Sequence, residues 1–234
     1  MNRLILKKIT KSYGKNLALN EFSFDFTDGV YGLLGPNGAG KSTLMNIITC
    51  NLKMDGGEIV FNGRTLEKSI TDYVANIGYM PQQQSVYDNL TLNRFMYYMA
   101  ALKGISRKDA AREIDRLLDT VHLSDVNHRF MGSFSGGMKQ RALIAQAMLG
   151  NPKIIILDEP TAGLDPKERV AIRELIAQTA KDRIVIVSTH VVSDIESIAK
   201  CVIVMKKGQI AAVQDNEHSD DIKPLEELYM QIFG

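Results

Sequence analysis

The sequence predicts an α/β fold: a mixed, largely parallel sheet covered by helices, preceded by an antiparallel β region and interrupted by a helical insertion. Three observations carry this reading. Strand-like segments dominate up to about residue 80, helical text fills about 91 to 148, and nearly continuous apolar runs return after Pro152. Runs such as "IIIL" and "IVIV" suit strands buried on both faces, as in a parallel sheet. At 234 residues the chain suits one good-sized core, or one domain with an inserted lobe. Residues 1–234 are therefore expected to form one domain, with 1–84 and 150–234 as the α/β core and its β region and 85–149 as the helical insertion.

The elements follow in order. "RLILKKI", "FSFDF", "VYGLL" and "EIVFN" are short, rich in β-branched or aromatic residues, and bounded by Gly, Asp or Asn. "FSFDF" alternates, which predicts one buried and one wet face. "STLMNIIT" reads as a helix directly after a glycine-rich loop. Within the insertion, Ala110, Ile114, Leu117 and Val121 fall on one helical face. "AIRELIAQTA" is then a crossover helix between two parallel strands. "CVIVMKKGQIAAV" predicts a hairpin turning at Lys207 and Gly208, and "PLEELYMQIF" a short amphipathic closing helix.

Composition removes several functions. Apolar residues make up 45% of the chain, charged residues 24%, and the formal net charge is +1. That balance offers no overall basic field, so nucleic acid is not an expected partner. Cys50 and Cys201 lie far apart with no C-x-x-C pair, which argues against zinc and for a reducing cytoplasmic compartment, both thiols buried and inert. No apolar run approaches the roughly 20 residues of a membrane span. The opening "MNRLILKKITKSYGK" scatters charge and lacks an apolar h-region, so no signal peptide is expected.

The chemistry starts at residues 35–42, which fit G-x-x-x-x-G-K-[ST] with Gly35, Gly40, Lys41 and Ser42 in the required places. The whole loop runs Gly35, Pro36, Asn37, Gly38, Ala39, Gly40, Lys41, Ser42, Thr43, between an apolar strand and a helix start. Glycines let backbone N–H groups close around phosphate oxygens at the positive end of the helix. Lys41 can reach the β and γ phosphates, and the Ser42 hydroxyl can ligate Mg²⁺. A carboxylate at a neighbouring strand end is also needed, and "IIILDEP" supplies Asp158 to hold the metal and Glu159 to take a proton from water.

A second signal lies at "SFSGGMKQRALIAQAML", residues 133–149. Ser135, Gly136 and Gly137 precede a helix with Leu143 and Ala147 at helical spacing, so a second anion-binding helix terminus is expected. One chain holding one nucleotide has no use for two such termini. They make sense if two chains pair head to tail and each offers its Ser-Gly-Gly terminus to the γ phosphate held by the other.

With these motifs the sequence resembles the ATP-binding subunits of ABC transporters, from about Lys7 to the last residues. The phosphate loop is "GPNGAGKST", the Q-loop matches "GYMPQ", the signature is "FSGGMKQR", the acids stand in "IIILDEP", the D-loop matches "AGLD", and the switch histidine matches "STH". The signature departs from the usual one at Phe134 and Met138, with Gln140 two places on, and keeps its Ser-Gly-Gly centre.

The resemblance implies a RecA-like P-loop NTPase core and a Mg²⁺-dependent ATPase in which two ATP molecules are sandwiched between two such subunits. It places Tyr13 on the adenine and Gln82 near the metal, although Gln83 and Gln84 leave open which amide approaches. It gives His190 a γ-phosphate contact and Asp165 a part in communication across the dimer. It further implies a separate transmembrane permease docked on residues 81–105, including Phe95, Met96, Tyr97, Tyr98 and Met99, unless these form the lobe's own core. The subunit would then be cytoplasmic and peripheral on the inner face of the cell membrane. "YYMAALKGI", "STHVVSDIE" and "LEELYMQIFG" look like the drug, antibiotic and lipid exporter branch. Soluble relatives that act on ribosomes or DNA usually carry two cassettes or long coiled-coil arms, and a non-catalytic nucleotide-gated module would lack Glu159.

Overall fold

The computed structural model describes residues 1–82, 87–216 and 224–234. The first part holds β1 (Arg3–Tyr13), β2 (Asn16–Thr27), β3 (Gly29–Leu34), α1 (Lys41–Ile48), β4 (Gly56–Phe61), β5 (Arg64–Thr65), α2 (Leu66–Ala75) and β6 (Ile77–Met80). Three helices follow: α3 (Leu92–Leu102), α4 (Arg107–Thr120) and α5 (Gly136–Met148). The chain then returns to alternating elements, β7 (Ile154–Asp158), α6 (Pro166–Thr179), β8 (Ile184–Thr189), β9 (Cys201–Lys206), β10 (Gln209–Asp215) and α7 (Leu225–Phe233).

The strands form two sheets. An antiparallel sheet has the order β2-β1-β4-β5, and a six-stranded sheet has the order β10-β9-β3-β8-β7-β6. In the larger sheet every pair is parallel except β9 with β10, which make the hairpin expected at Lys207 and Gly208. Alternation divides its side chains between two cores. Ile154, Ile156, Ile184, Ile186 and Ile203 face α1 and the antiparallel sheet, where Leu4, Phe22 and Phe26 meet them. Ile155, Leu157, Val185, Val187, Val202 and Val204 face the helical side, together with residues of α3 to α6. Both faces of these strands are dry, which is why the runs read as continuous rather than alternating.

The three helices between β6 and β7 have recognisable starts. Thr91, Ser106 and Ser135 each stand one residue ahead of a helix and accept a hydrogen bond from the backbone N–H three residues on, at 3.3, 3.2 and 3.2 Å. Ala110, Ile114, Leu117 and Val121 are all buried, as their spacing predicts. In the expected docking stretch, Phe95 and Met96 are fully buried, and Tyr97 and Met99 pack partly buried on the same core. Only Tyr98 of the five is exposed, with its ring 5.5 Å from that of exposed Tyr87. Four of the five thus belong to the lobe's own core or pack against it.

Three details differ from the sequence reading. Helix α2 lies in a region read as strand: it breaks at Ser69, buries only Tyr73 and carries β-branched residues, so its helical pattern is weak. Helix α6 begins at Pro166, ahead of "AIRELIAQTA", because Asp165 accepts from the Glu168 N–H at 3.0 Å and proline suits the first helical position. Cys201 is buried as expected, but Cys50 is only half-buried, in the left-handed turn after α1. Burial pushes the Cys201 thiol up to about 11 and raises that of Cys50, so both remain unreactive thiols near neutral pH. Among the described residues no helix is long and apolar enough to cross a membrane.

Candidate functional site

The loop from Gly35 to Gly40 leaves β3 at its carboxyl end, where the neighbouring strands β8 and β7 also end. Its glycines serve different ends. Gly40 has φ +105° immediately before α1, and a Cβ there would meet the Ala18 carbonyl oxygen at 2.7 Å. At Gly35 the need is space, since a Cβ would meet the Met205 carbonyl oxygen at 2.5 Å. The β9–β10 turn closes on the loop as well: the Gly208 N–H donates to the Ala39 carbonyl at 2.9 Å, and the Asn20 N–H to the Gly208 carbonyl at 3.0 Å.

No side chain caps the start of α1, so its free N–H groups face a cavity of about 620 Å³. Asn37, Gly38, Ala39, Gly40, Lys41, Ser42 and Thr43 line one wall, with Gln82, Asp158 and Glu159 at the strand ends. Tyr13 and Lys207 line it from the antiparallel sheet and from the β9–β10 turn. Tyr13 is about half exposed, as a stacking platform for a planar ring must be. Gln83 and Gln84 lie outside the described residues.

The Lys41 ammonium is buried and donates to the carbonyls of Gly35 and Pro36 at 2.6 and 3.2 Å. Burial lowers its pKa, and the carboxylates of Glu159 and Asp158 oppose that fall. Burial raises the pKa of Asp158, and the Glu159 charge adds to this, while hydrogen bonds from Ser188 and Ser42 and the charge of Lys41 hold it down. Burial, with the Asp158 charge beside it, pushes Tyr79 up to about 12, so it stays a neutral phenol. The Ser42 hydroxyl, the Asp158 carboxylate and exposed Gln82 thus share one wall with a buried cation.

Glu159 sits at the end of β7 with φ +51°, a conformation uncommon for a side chain of this kind. Its backbone N–H is held by Ser188 through both the carbonyl, at 3.2 Å, and the side-chain oxygen, at 3.0 Å. The Ser188 hydroxyl in turn donates to Asp158. Ser188 therefore fixes both acids, and it was missed in the sequence although it opens the "STH" triplet. The Glu159 carboxylate is buried and lies 3.0 Å from Nδ1 of His190, whose ring is half exposed.

The structure does not bring every candidate into this cavity. Ser135, Gly136, Gly137 and Asp165 are not among its lining residues, and His190, Gly35 and Pro36 reach it only through their contacts with Glu159 and Lys41. Ser135 and Gly136 are exposed at the start of α5, and Gly137 is buried where the Glu168 carboxylate crosses it. Glu168 is held there by Arg141 at 2.8 Å. Asp165 is exposed at the start of α6.

Comparison with known proteins gives one consistent result. The family description "ABC transporter" matches residues 19–162. The lantibiotic transport ATP-binding protein SrtF of Streptococcus pyogenes is 36% identical, with 95% of each chain covered. An uncharacterized ABC transporter ATP-binding protein of Bacillus subtilis, YxlF, is also 36% identical, over 89% of this chain and 69% of that protein. Human ATP-binding cassette sub-family A member 2 is 33% identical over 87% of this chain, which spans only 8% of that much longer protein. Among solved structures, the ATP-binding subunit of an ABC transporter superposes with a TM-score of 0.84 at 27% identity, covering 99% of both chains. A dimeric, post-hydrolysis structure of the cassette MJ0796 bound to ADP and Pi does so with a TM-score of 0.81 at 26% identity, over 92% of this chain and 100% of that one. Loop, acids, fold and relatives agree: the chain belongs to the ABC transporter family, as one of its ATP-binding, ATP-hydrolysing subunits.

Proposed function

We propose that residues 1–234 form a single ATPase domain that dimerises head to tail around two ATP molecules and powers export through a separate membrane-spanning permease. The observation that carries this reading is the division of the motifs. One chain assembles the phosphate loop and the acids around a cavity, with His190 3.0 Å from the Glu159 carboxylate, while its Ser135 helix start stands exposed away from it. A second copy, or a close relative, would complete each site. The dimeric MJ0796 cassette with ADP and Pi supports the arrangement by likeness.

In this mechanism the loop amides and Lys41 hold the β and γ phosphates, exchanging the ammonium's bonds to Gly35 and Pro36 for phosphate oxygens. Tyr13 stacks on the adenine. Ser42, Asp158 and Gln82 fit the oxygen-rich surroundings of Mg²⁺, which would shield phosphate charge and orient the triphosphate. Magnesium keeps several waters and needs few protein ligands, in keeping with so small a set. Glu159 takes the proton of the attacking water, and His190 on its far side holds that carboxylate and contacts the γ phosphate. Ser135, Gly136 and Gly137 of the opposite chain bind the same phosphate through the start of α5. Asp165 passes the state of one site to the other, and hydrolysis opens the sandwich.

The cargo reading rests on likeness to SrtF, a lantibiotic transport protein, and favours an antibiotic, peptide or other drug-like or lipid-like compound. Exposed Tyr87 and Tyr98 leave an apolar edge for the permease, and the subunit would lie on the cytoplasmic face of the membrane. The test is to tag the chain in its native cells, solubilise membranes in mild detergent with Mg²⁺ and ATP, and identify what copurifies. A polytopic membrane protein at comparable stoichiometry is expected. Recovery with ribosomes or DNA in the soluble fraction would assign the ATPase to a non-membrane partner.

A further inference from the structure

Asp194 is a buried carboxylate to which the mechanism above gives no part. It lies in a single helical turn just beyond β8 and is only 4% exposed. Its Oδ2 accepts a hydrogen bond from the Thr161 hydroxyl at 2.6 Å and is 3.4 Å from that of Thr189. Its Oδ1 faces Arg169 of α6 at 3.8 Å and accepts no hydrogen bond among the described residues. Arg169 in turn donates through Nε to the Leu164 carbonyl at 3.1 Å.

These contacts span three segments. Thr161 stands two residues beyond Glu159, Thr189 immediately precedes His190, and Leu164 immediately precedes Asp165. A buried carboxylate is weak evidence for stability, because the cost of removing it from water offsets most of the attraction it gains. What it does provide is direction: two hydroxyls can point at one oxygen only if their loops keep a fixed separation. An apolar side chain of the same size would fill the space without setting that separation.

We propose that Asp194 is a positioning residue that locks the loop after β7 to the loop after β8, and so sets the approach of Glu159 to His190. The inference rests on the roles given above to that pair. Asp194 is not among the residues lining the cavity; it acts through Thr161 and Thr189. Arg169 extends the lock to the segment that carries Asp165 at the start of α6.

The experiment compares steady-state ATP hydrolysis and thermal midpoints of the wild-type chain with Asp194→Asn, Thr161→Val and Thr161→Ser. Displacing catalytic groups by a fraction of an ångström to an ångström costs rate rather than substrate binding. Asp194→Asn and Thr161→Val should each lower kcat by about 10- to 100-fold, with the KM for ATP changed by less than about twofold. Thr161→Ser keeps the donor and should retain near wild-type turnover, which a purely space-filling threonine does not predict. The double variant Asp194→Asn/Thr161→Val should fall no further than the worse single one. If Asp194→Asn does not fold, the threonine pair carries the test. Wild-type kcat in Thr161→Val, or a raised KM at unchanged kcat, overturns the proposal. A wild-type chain that hydrolyses ATP while these variants turn over normally overturns this inference alone. Failure of the wild-type chain to hydrolyse ATP overturns the site assignment beneath it as well.

Discussion

The phosphate loop and the signature segment are both glycine-bearing loops at the start of a helix, yet the chain finishes one and leaves the other open. Around the loop, β2, β9 and the β9–β10 turn close in on Gly35 and Gly40, Lys41 folds onto its own carbonyls, and the start of α1 has no side-chain cap. At the signature, Ser135 spends its hydroxyl oxygen on the Met138 N–H, Gly136 is exposed, and the nearest carboxylate, Glu168, is already paired with Arg141. The difference is what the proposed head-to-tail dimer requires of its two ligand contacts. A preformed cradle with an inward-facing cation suits a ligand bound by the same chain. A capped, outward-facing helix start suits one delivered on another molecule's surface.

The largest expected effect tests the complete half-site. Glu159→Gln preserves the shape of the side chain and its reach to His190 but removes the base. Turnover should fall by about 10²- to 10⁴-fold, while ATP affinity, measured by equilibrium binding, stays close to wild type and the dimer accumulates with ATP bound. Unchanged phosphate release would remove Glu159 from the chemistry and leave the cradle as a binding site only.

Mixed dimers test whether the open half belongs to the partner's nucleotide. Lys41→Ala disables a chain's own loop, and Ser135→Arg blocks the terminus offered to the other chain. In a head-to-tail pair both defects then fall on one site, so a dimer of one variant with the other keeps at most one complete site. ATPase assays on purified heterodimers should give about half the wild-type rate if the sites act independently. If each chain's signature served its own ATP, each chain of that mixture would carry one defect in its own site, so loss of both sites would overturn the head-to-tail pairing.

How much of this could be read beforehand follows the same division. The phosphate loop, the acids at the end of β7 and Ser135 just ahead of α5 were legible because each is local, with glycine, charge and strand or helix pattern in one short stretch. Strand order was not: nothing in "RIVIV" says that β8 lies between β3 and β7 and brings Ser188 onto both acids. The Asp194 contact with Thr161 was hidden for the same reason, since its two ends lie 33 residues apart and neither belongs to a motif. For Tyr97 and Met99 the sequence left both readings open, because an apolar run in a helical lobe reads alike whether it faces a partner or its own core, and both pack partly buried on that core. Lys207 was read as a turn residue, and its place on the cavity wall depends on how the β9–β10 hairpin packs against β2.

The smallest effect sharpens the comparison at single glycines. Gly40→Ala meets two penalties: a left-handed φ that costs an L-residue about 1–2 kcal/mol, and a Cβ 2.7 Å from the backbone oxygen of Ala18, which cannot swing aside. Overpacking of that kind costs a further ~1–3 kcal/mol, so chemical denaturation should show a loss of about 3 kcal/mol. Gly137→Ala differs in each respect. Gly137 lies in the first turn of α5 at ordinary helical φ, where alanine gains up to ~1 kcal/mol in propensity. The atom that its Cβ would strike, at 2.1 Å, belongs to the movable side chain of Glu168. Shifting that carboxylate off Arg141 gives up at most about 1 kcal/mol for a partly exposed pair, so stability should stay within ~1 kcal/mol of wild type. If the start of α5 serves another chain's phosphate, turnover at that site falls nonetheless, because the methyl group stands among the N–H groups that must approach it. Stability loss at Gly40 beside activity loss without stability loss at Gly137 is the pattern expected of one cradle built for its own chain and one terminus built for a second.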